Sequence, residues 1–456
     1  MSSQMNRPSR AMRPPRGRTG SSWHRPRPAT LAALLIPLVF SGCDGLLDVS
    51  LPGGVTGDAF ANTALVGVML NSVQAKAECS WNNYVGAASN HSDEWIQSSA
   101  NAPSKRWGMR DIAPTFAPFA TGGCDEFSYG LFRPLHITRS LAEEHFDRIS
   151  AFSDADVPNK TPVLAQIRAY NGWPYIAFAE SFCVGTPVDG QPGVLSNEEL
   201  FQRAVARFTD AIQLADQAGL ANVRNMALVG RARANLGLRN YAAVIADAEQ
   251  VPVGFRFNLT RDESPQPRQN AIYRRLNGPD NTNRHGSIAP SYRDVTWKGV
   301  PDPRVPVTSD GRTQGFDFST ISYRTAKVPS FATPVRLASW EEAQLFIAEA
   351  AAITGDLDRA RTILDGFHTR AGIPPVTAGD LPTQADVIRH VIETRRRELF
   401  VEGGHRLRDH LRWRGTEFEI PFLGEPGSDH PDGVEQNGDP YSDTTCFPLP
   451  TLERAS

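Results

Sequence analysis

The chain has 456 residues, 40% of them hydrophobic and 9% aromatic, the composition of a globular protein with ample material for a core rather than of a disordered tail. Glycine (37) and proline (35) run above average, which predicts many loops. No apolar stretch reaches the roughly 18 residues of a spanning helix, which argues against a multi-span helical membrane protein.

The formal charge of −3 hides an asymmetry. Residues 1–42 hold seven arginines, no lysine and no acidic residue, and end in an apolar run over 29–40 followed by Ser41-Gly42-Cys43. A basic start, a short apolar core and small residues at the cut form the pattern of a secretory signal. Small residues directly before a cysteine resemble a bacterial lipobox, with Phe40 departing from its usual leucine, so Cys43 is the expected lipidated N-terminus. Each buried acyl methylene contributes about 0.8 kcal/mol, so several chains anchor a body firmly without a spanning helix. Residues 43–57 then read as a tether. Without residues 1–42 the formal charge is −10, which argues against a nucleic-acid surface.

Four further cysteines, Cys79, Cys124, Cys183 and Cys446, suggest two disulfides in an exported protein. Three connectivities are open, and Cys79–Cys124 with Cys183–Cys446 is the expected one.

Helical periodicity over residues 58–77 gives way to an irregular stretch over about 79–130. It resumes at 131–146. Thr161-Pro162 starts an alanine- and aromatic-rich helix to residue 182. Ser196-Asn197-Glu198-Glu199 is a capping box for a helix that stops at Gly219. Helices over 226–236 and 241–250 turn at Gly237, and Ser339-Trp340-Glu341-Glu342 caps a second pair that breaks at Gly355. Shifted by 118 positions, Ala232, Ala234, Gly237, Ala242, Ile245 and Asp247 fall on Ala350, Ala352, Gly355, Ala360, Ile363 and Asp365. Small residues Gly230 and Ala348 lie twelve positions before Ala242 and Ala360, the spacing of tetratricopeptide hairpins. The pairs, at about 161–251 and 339–414, are separated by a loop-rich insert over 252–335. A last helix, capped by Thr383 and Asp386, runs over 384–402. A polar tail, residues 424–445, leads to Cys446.

No nucleotide-binding glycine loop, nucleophile elbow or H-E-x-x-H motif is present. His405 and His410 are spaced poorly for a shared metal, and the acidic tail lacks EF-hand spacing and reads as a solvated loop. Arginines 395, 396, 397, 406, 408, 412 and 414 interleave with Glu393, Glu398, Glu402 and Asp409, the pattern of a helix face laced with ion pairs. The chain therefore reads as a protein that is not an enzyme, and no cofactor is expected.

The stretch from Glu393 to Trp413 resembles the C-terminal signature of the SusD/RagB family of outer-membrane nutrient-binding lipoproteins. Glu393, Arg395, Arg396, Glu398, Leu399, Glu402, Gly403, Arg406, Asp409, Leu411, Arg412 and Trp413 match it, with one extra residue in the Gly403-Gly404-His405 turn. The segment after Cys43 and Phe447-Pro448-Leu449-Pro450 resemble further family features. The resemblance implies a mainly α, tetratricopeptide-like scaffold over 58–456 with loop-rich inserts. It also implies a surface lipoprotein of the outer membrane that passes an oligomeric nutrient, glycan or peptide, to a TonB-dependent transporter of the SusC type. In that picture the signature arginines and glutamates are structural. A sugar site is expected among aromatics in irregular segments, which can stack on sugar faces: Trp81, Tyr84, Trp107, Trp297 and Tyr323. The competing class is a cell-envelope helical-repeat scaffold that binds protein only.

Overall fold

The helices begin and end where local chemistry dictates. The computed structural model describes residues 61–124, 129–188 and 193–451, all within the unit Thr56–Ser456. The signal pattern, Cys43 and the tether lie outside the described residues. In chain order the helices are α1 (Val66–His91), α2 (Ala102–Gly108), α3 (Ala117–Thr121), α4 (Phe132–Ala151), α5 (Thr161–Ser181) and α6 (Asn197–Ala218). They continue with α7 (Ala221–Gly237), α8 (Tyr241–Ala248), α9 (Trp340–Thr354), α10 (Leu357–Ala371), α11 (Gln384–Glu398) and α12 (His405–Arg412).

Ser196 and Thr383 head complete capping boxes, and Gly219 and Gly355 close α6 and α9 in the left-handed conformation. The box expected at Ser339 forms only by half. Its hydroxyl accepts the Glu342 amide N–H at 3.1 Å, but the Glu342 carboxylate turns inward to Arg233 instead.

Helix α5 is apolar nearly all round and forms the centre, covered by α1, α4, α6 and α7. The hairpins α7–α8 and α9–α10 pack side by side although the insert separates them in sequence. A short antiparallel pair, Arg256–Leu259 with Val335–Ser339, brings the two ends of the insert together and sets α9 beside α8. The architecture is thus a mainly α, tetratricopeptide-like scaffold with looped inserts. One detail differs from expectation: a Cβ on Gly230 would meet the Phe208 ring of α6 at 2.3 Å. The space left by that glycine takes a side chain from the preceding helix.

Helix α1 runs through residue 91, well into the stretch that reads as irregular. Its asparagines beyond residue 79 are buried and bonded rather than loop-forming: Asn82 Nδ2 donates to the Gln269 carbonyl at 3.0 Å and Asn83 Nδ2 to the Gly130 carbonyl at 2.7 Å. The disulfides are Cys79–Cys124 and Cys183–Cys446, with Cα separations of 5.7 and 5.1 Å.

Candidate functional site

Helix α11 buries Val387, Ile388, Val391 and Ile392, which turns Arg395 inward. Its Nη1 donates to Asp409 at 2.8 Å and its Nη2 to Glu349 of α9, whose other oxygen accepts from Arg412. Arg406 grips both oxygens of Asp93, which also lies 3.1 Å from His410 Nε2. Arg233 of α7 donates to Glu180 of α5 at 2.9 Å and to the Gly403 carbonyl at 2.7 Å. The ion-pair face expected along one helix is therefore only partly realised. Arg396 and Arg397 do pair with Glu393 within α11. Arg395, Arg406 and Arg408 are instead buried, and their acids sit on other elements.

The cause is the turn between α11 and α12. Val401, Gly403 and Gly404 take φ of 53°, 59° and 69°, which folds α12 back into the body. Gly404 has no room for a side chain, because a Cβ would lie 2.9 Å from the Tyr84 ring. The signature turn that holds the additional residue thus packs on Tyr84.

Burial pushes the Glu342 carboxyl up to about 7, with Arg233 opposing and Glu180 adding to the rise. Since its ordinary value is 4.5, the folded state binds the proton more readily between about 4.5 and 7. Ionisation of Glu342 therefore costs stability as pH rises through that window. Glu342→Gln is expected to flatten the decline in stability from pH 5 to pH 8, measured by urea unfolding. An unchanged slope would show that Glu342 is charged throughout.

This buried lattice holds up a loop-built face. Trp95–Gln97 pairs antiparallel with Gly286–Ile288. Tyr323 is tied beside that pair, its N–H donating to Ser287 Oγ at 2.9 Å and its carbonyl accepting from the Ile288 N–H at 3.0 Å. The Arg293 guanidinium stacks 3.6 Å from the Tyr323 ring centre while donating to the Ile288 carbonyl. Two aspartates wrap the neighbouring loop: Asp310 accepts from the Arg312 and Thr313 N–H groups, and Asp317 from those of Ser319 and Thr320. At its tip stands Phe318, with φ of 55° and 59% exposed. An aromatic ring held out by positive-φ backbone has been denied the core.

The polar tail packs along this face, with Glu435 buried while Asp432 and residues 436–440 stay exposed. Asp429 accepts from the Ser291 N–H at 2.9 Å, Gln436 Nε2 donates to Thr320 Oγ1 at 2.7 Å, and Asn437 bonds Ser319 and Asp317. His430 shares a 2.6 Å hydrogen bond with Tyr441. Glu435 is buried 3.8 Å from Lys105, which also pairs with Asp439. These carboxylates are committed to protein partners, and the described residues contain no group of three or more His, Cys, Asp or Glu able to hold a metal.

The aromatics expected to bind sugar separate into two sets. Trp81, Tyr84 and Trp107 are buried, at 2%, 0% and 0% exposure. Trp81 and Tyr84 lie on α1 at the centre, with the Trp81 Nε1–H donated to the Arg336 carbonyl, and Trp107 packs edge-on against Phe116, Phe119, Tyr129 and Phe447. They offer a ligand no surface: Asn82 and Asn83 beside Trp81 and Tyr84 bond internally, and Trp107 turns inward from Lys105 and Arg106, which pair with Asp439 and Asp111. Trp297 and Tyr323 are half-buried, but they pack on different elements. Trp297 sits on a hairpin against His368 and His390 of α10 and α11, fastened by the 2.7 Å Lys298–Asp380 pair. Arg293, Phe318 and His430 were not singled out from sequence, and Asp429 stood out only as part of the acidic tail weighed for calcium. Of the first three only Phe318, an aromatic between Asp317 and Ser319, carried a visible signal.

The SusD family model matches residues 335–443. No curated protein matches in sequence. Among solved structures, a SusD-like carbohydrate-binding protein from Bacteroides vulgatus superposes with a TM-score of 0.62 at 15% identity, covering 86% of this chain and 96% of that one. Surface glycan-binding protein A from Bacteroides thetaiotaomicron gives 0.61 at 13% identity, with coverages of 87% and 97%. A SusD superfamily protein from Bacteroides thetaiotaomicron gives 0.63 at 13% identity, with coverages of 87% and 98%. The SusD family segment thus closes a chain whose fold is shared, over most of its length, with SusD-like proteins.

Proposed function

We propose that the protein is a lipid-anchored outer-membrane receptor that binds an oligomeric glycan on its loop-built face and delivers it to a TonB-dependent transporter. The observation that carries this reading is the Tyr323–Arg293 stack with exposed Phe318, backed by the amides, hydroxyls and carboxylates of the folded-back tail. Rings present flat surfaces to sugar faces and the polar side chains read hydroxyls. The names of the similar structures, carbohydrate-binding and surface glycan-binding, support the same ligand class. The signal pattern ending at Cys43 supports the anchor, and no helix among the described residues is long and apolar enough to cross a membrane. The helical side faces the transporter in this reading, and the protein catalyses no reaction.

Three measurements test it. Calorimetric titration against a panel of oligosaccharides is expected to find one binder whose affinity falls about tenfold or more in Tyr323→Ala. A ligand indifferent to Tyr323 and Phe318 would move the site elsewhere. Cys43→Ala is expected to release the protein from the membrane fraction, and continued sedimentation with outer membranes would count against lipid anchoring. Pull-down from detergent-solubilised envelopes distinguishes the scaffold alternative, in which periplasmic or inner-membrane proteins are captured and no TonB-dependent barrel is.

A further inference from the structure

Beside the antiparallel pair that joins the ends of the insert lie two adjoining cavities, both partly open to solvent. One, of about 240 Å³, has mainly polar walls. The other, of about 180 Å³, has mainly apolar walls, with Val85, Ile272, Val328, Val335 and Val401 among them. Lys327, Arg336 and Glu402 line both and so stand at the junction. Neither cavity is lined by Tyr323, Arg293 or Phe318.

The polar chamber carries three bases, Arg256, Lys327 and Arg336, and three acids, Glu341, Glu398 and Glu402. Two pairs form within it. Arg256 Nη2 donates to Glu341 at 2.6 Å, and Lys327 Nζ lies 3.0 Å from Glu402 Oε1. Arg336 and Glu398 are left over, and they do not pair with each other. Arg336 spends only its Nε, on Asn258 Oδ1 at 2.6 Å, and its two terminal nitrogens bond to none of the described residues. This side chain is half-buried, and neither terminal nitrogen is sealed from solvent. The Glu398 carboxylate accepts no hydrogen bond among the described residues, and its ion-pair contact with Arg304 is 4.0 Å long. Arg304 itself donates to both oxygens of Asp302. The Glu398 and Glu402 side chains are 19% and 21% exposed, so their carboxylates are within reach of a ligand. Burial holds the Glu398 carboxyl above its ordinary range although Lys327 and Arg304 pull it down, so the bases around it leave its charge incompletely compensated.

A guanidinium edge and a carboxylate left over in one chamber complement a ligand that carries both opposite charges itself. The terminal nitrogens of Arg336 present the planar fork that a carboxylate fits, and Glu398 with the second oxygen of Glu402 presents acceptors to an ammonium. The apolar chamber opens at the junction, where it can take a hydrocarbon side chain. Carboxylate, ammonium and side chain leave one carbon in an α-amino acid, so a molecule centred at the junction reaches all three walls at once.

We propose that the joined cavities bind a free apolar α-amino acid, with its carboxylate on Arg336, its ammonium between Glu398 and Glu402, and its side chain among Val85, Ile272 and Val335. The site is separate from the proposed glycan face and does not depend on that reading.

The test is calorimetric titration of the mature protein with L-leucine and L-phenylalanine. Three controls each lack one group: leucinamide the carboxylate, N-acetyl-L-leucine the ammonium, and glycine the side chain. At least one of the two amino acids should bind, and every control should bind at least tenfold more weakly. Arg336→Gln and Glu398→Gln should each weaken the amino acid about tenfold or more. The two residues sit on different elements, so a folding defect in one variant leaves the other to decide. Tyr323→Ala should leave the affinity unchanged. The proposal is overturned if neither amino acid binds at millimolar concentration, if any control binds within tenfold of the amino acid, or if either glutamine variant, folded, binds like the parent. Loss of binding in Tyr323→Ala would also overturn it, by placing the ligand on the loop face.

Discussion

Glu349→Ala is expected to lower the unfolding free energy by about 3–5 kcal/mol, the cost typical of breaking a buried ion pair from one side. Glu349 is fully buried on α9, and its two oxygens accept from Arg395 and Arg412. Removing the carboxylate leaves two guanidiniums in the interior with a single acid, Asp409, 2.8 Å from Arg395. The loss should appear as a lower denaturation midpoint in guanidinium chloride at unchanged m-value. Glu417→Ala is the control, since the Arg389–Glu417 pair is 3.0 Å long but has both side chains more than half exposed. That change should stay within about 0.5 kcal/mol. Equal effects at the two positions would mean that the signature pairs contribute no more than surface pairs, and the structural role assigned to them would fail.

Replacing Cys183 and Cys446 together by serine is the second large change. That bridge spans 263 residues, and the chain-entropy account assigns closure of such a loop about 5.6 kcal/mol, against about 4 kcal/mol for the Cys79–Cys124 loop of 45 residues. The bridged strand has other attachments. The Cys183 N–H donates to the Phe447 carbonyl at 3.0 Å, the Phe447 N–H to the Ser181 carbonyl at 2.8 Å, and the Phe447 ring packs among Trp107, Phe119 and Phe182. The terminal segment should therefore stay docked in the double mutant while the denatured chain gains freedom. Thermal and denaturant unfolding of the two double-serine variants checks this, with the 183/446 variant expected to lose more. A larger loss from the shorter loop would show that local packing around Cys79, rather than loop closure, controls the stabilisation.

These expectations draw on features of different legibility. Ser196, Thr383, Gly219 and Gly355 mark helix ends in sequence because a cap is settled by residues three or four apart. The disulfide pairing came out as expected. The signature from Glu393 to Trp413 was visible as a pattern, but its burial was not. Alternating charges read as one helix face laced with ion pairs until the turn at residues 401–404 folds α12 inward and assigns Arg406 to Asp93, a partner 313 positions away. The half-formed cap at Ser339 has the same origin, since Glu342 is claimed by Arg233, 109 positions earlier.

The aromatic residues show the limit most directly. Trp81 and Tyr323 both stand among polar neighbours in sequence. Yet Asn82 and Asn83 spend their amides on carbonyls at residues 269 and 130, so the helix carrying Trp81 is internal. Tyr323 instead edges a surface completed by a tail that begins a hundred residues later. Sequence alone determined the helical scaffold, its caps, the paired repeats and the family signature, because periodicity, capping and motif spacing are local. Tertiary structure decided which rings are core and which stay partly exposed, and where the acidic tail lies. Those outcomes depend on the partners that distant backbone and charged groups find once solvent is excluded.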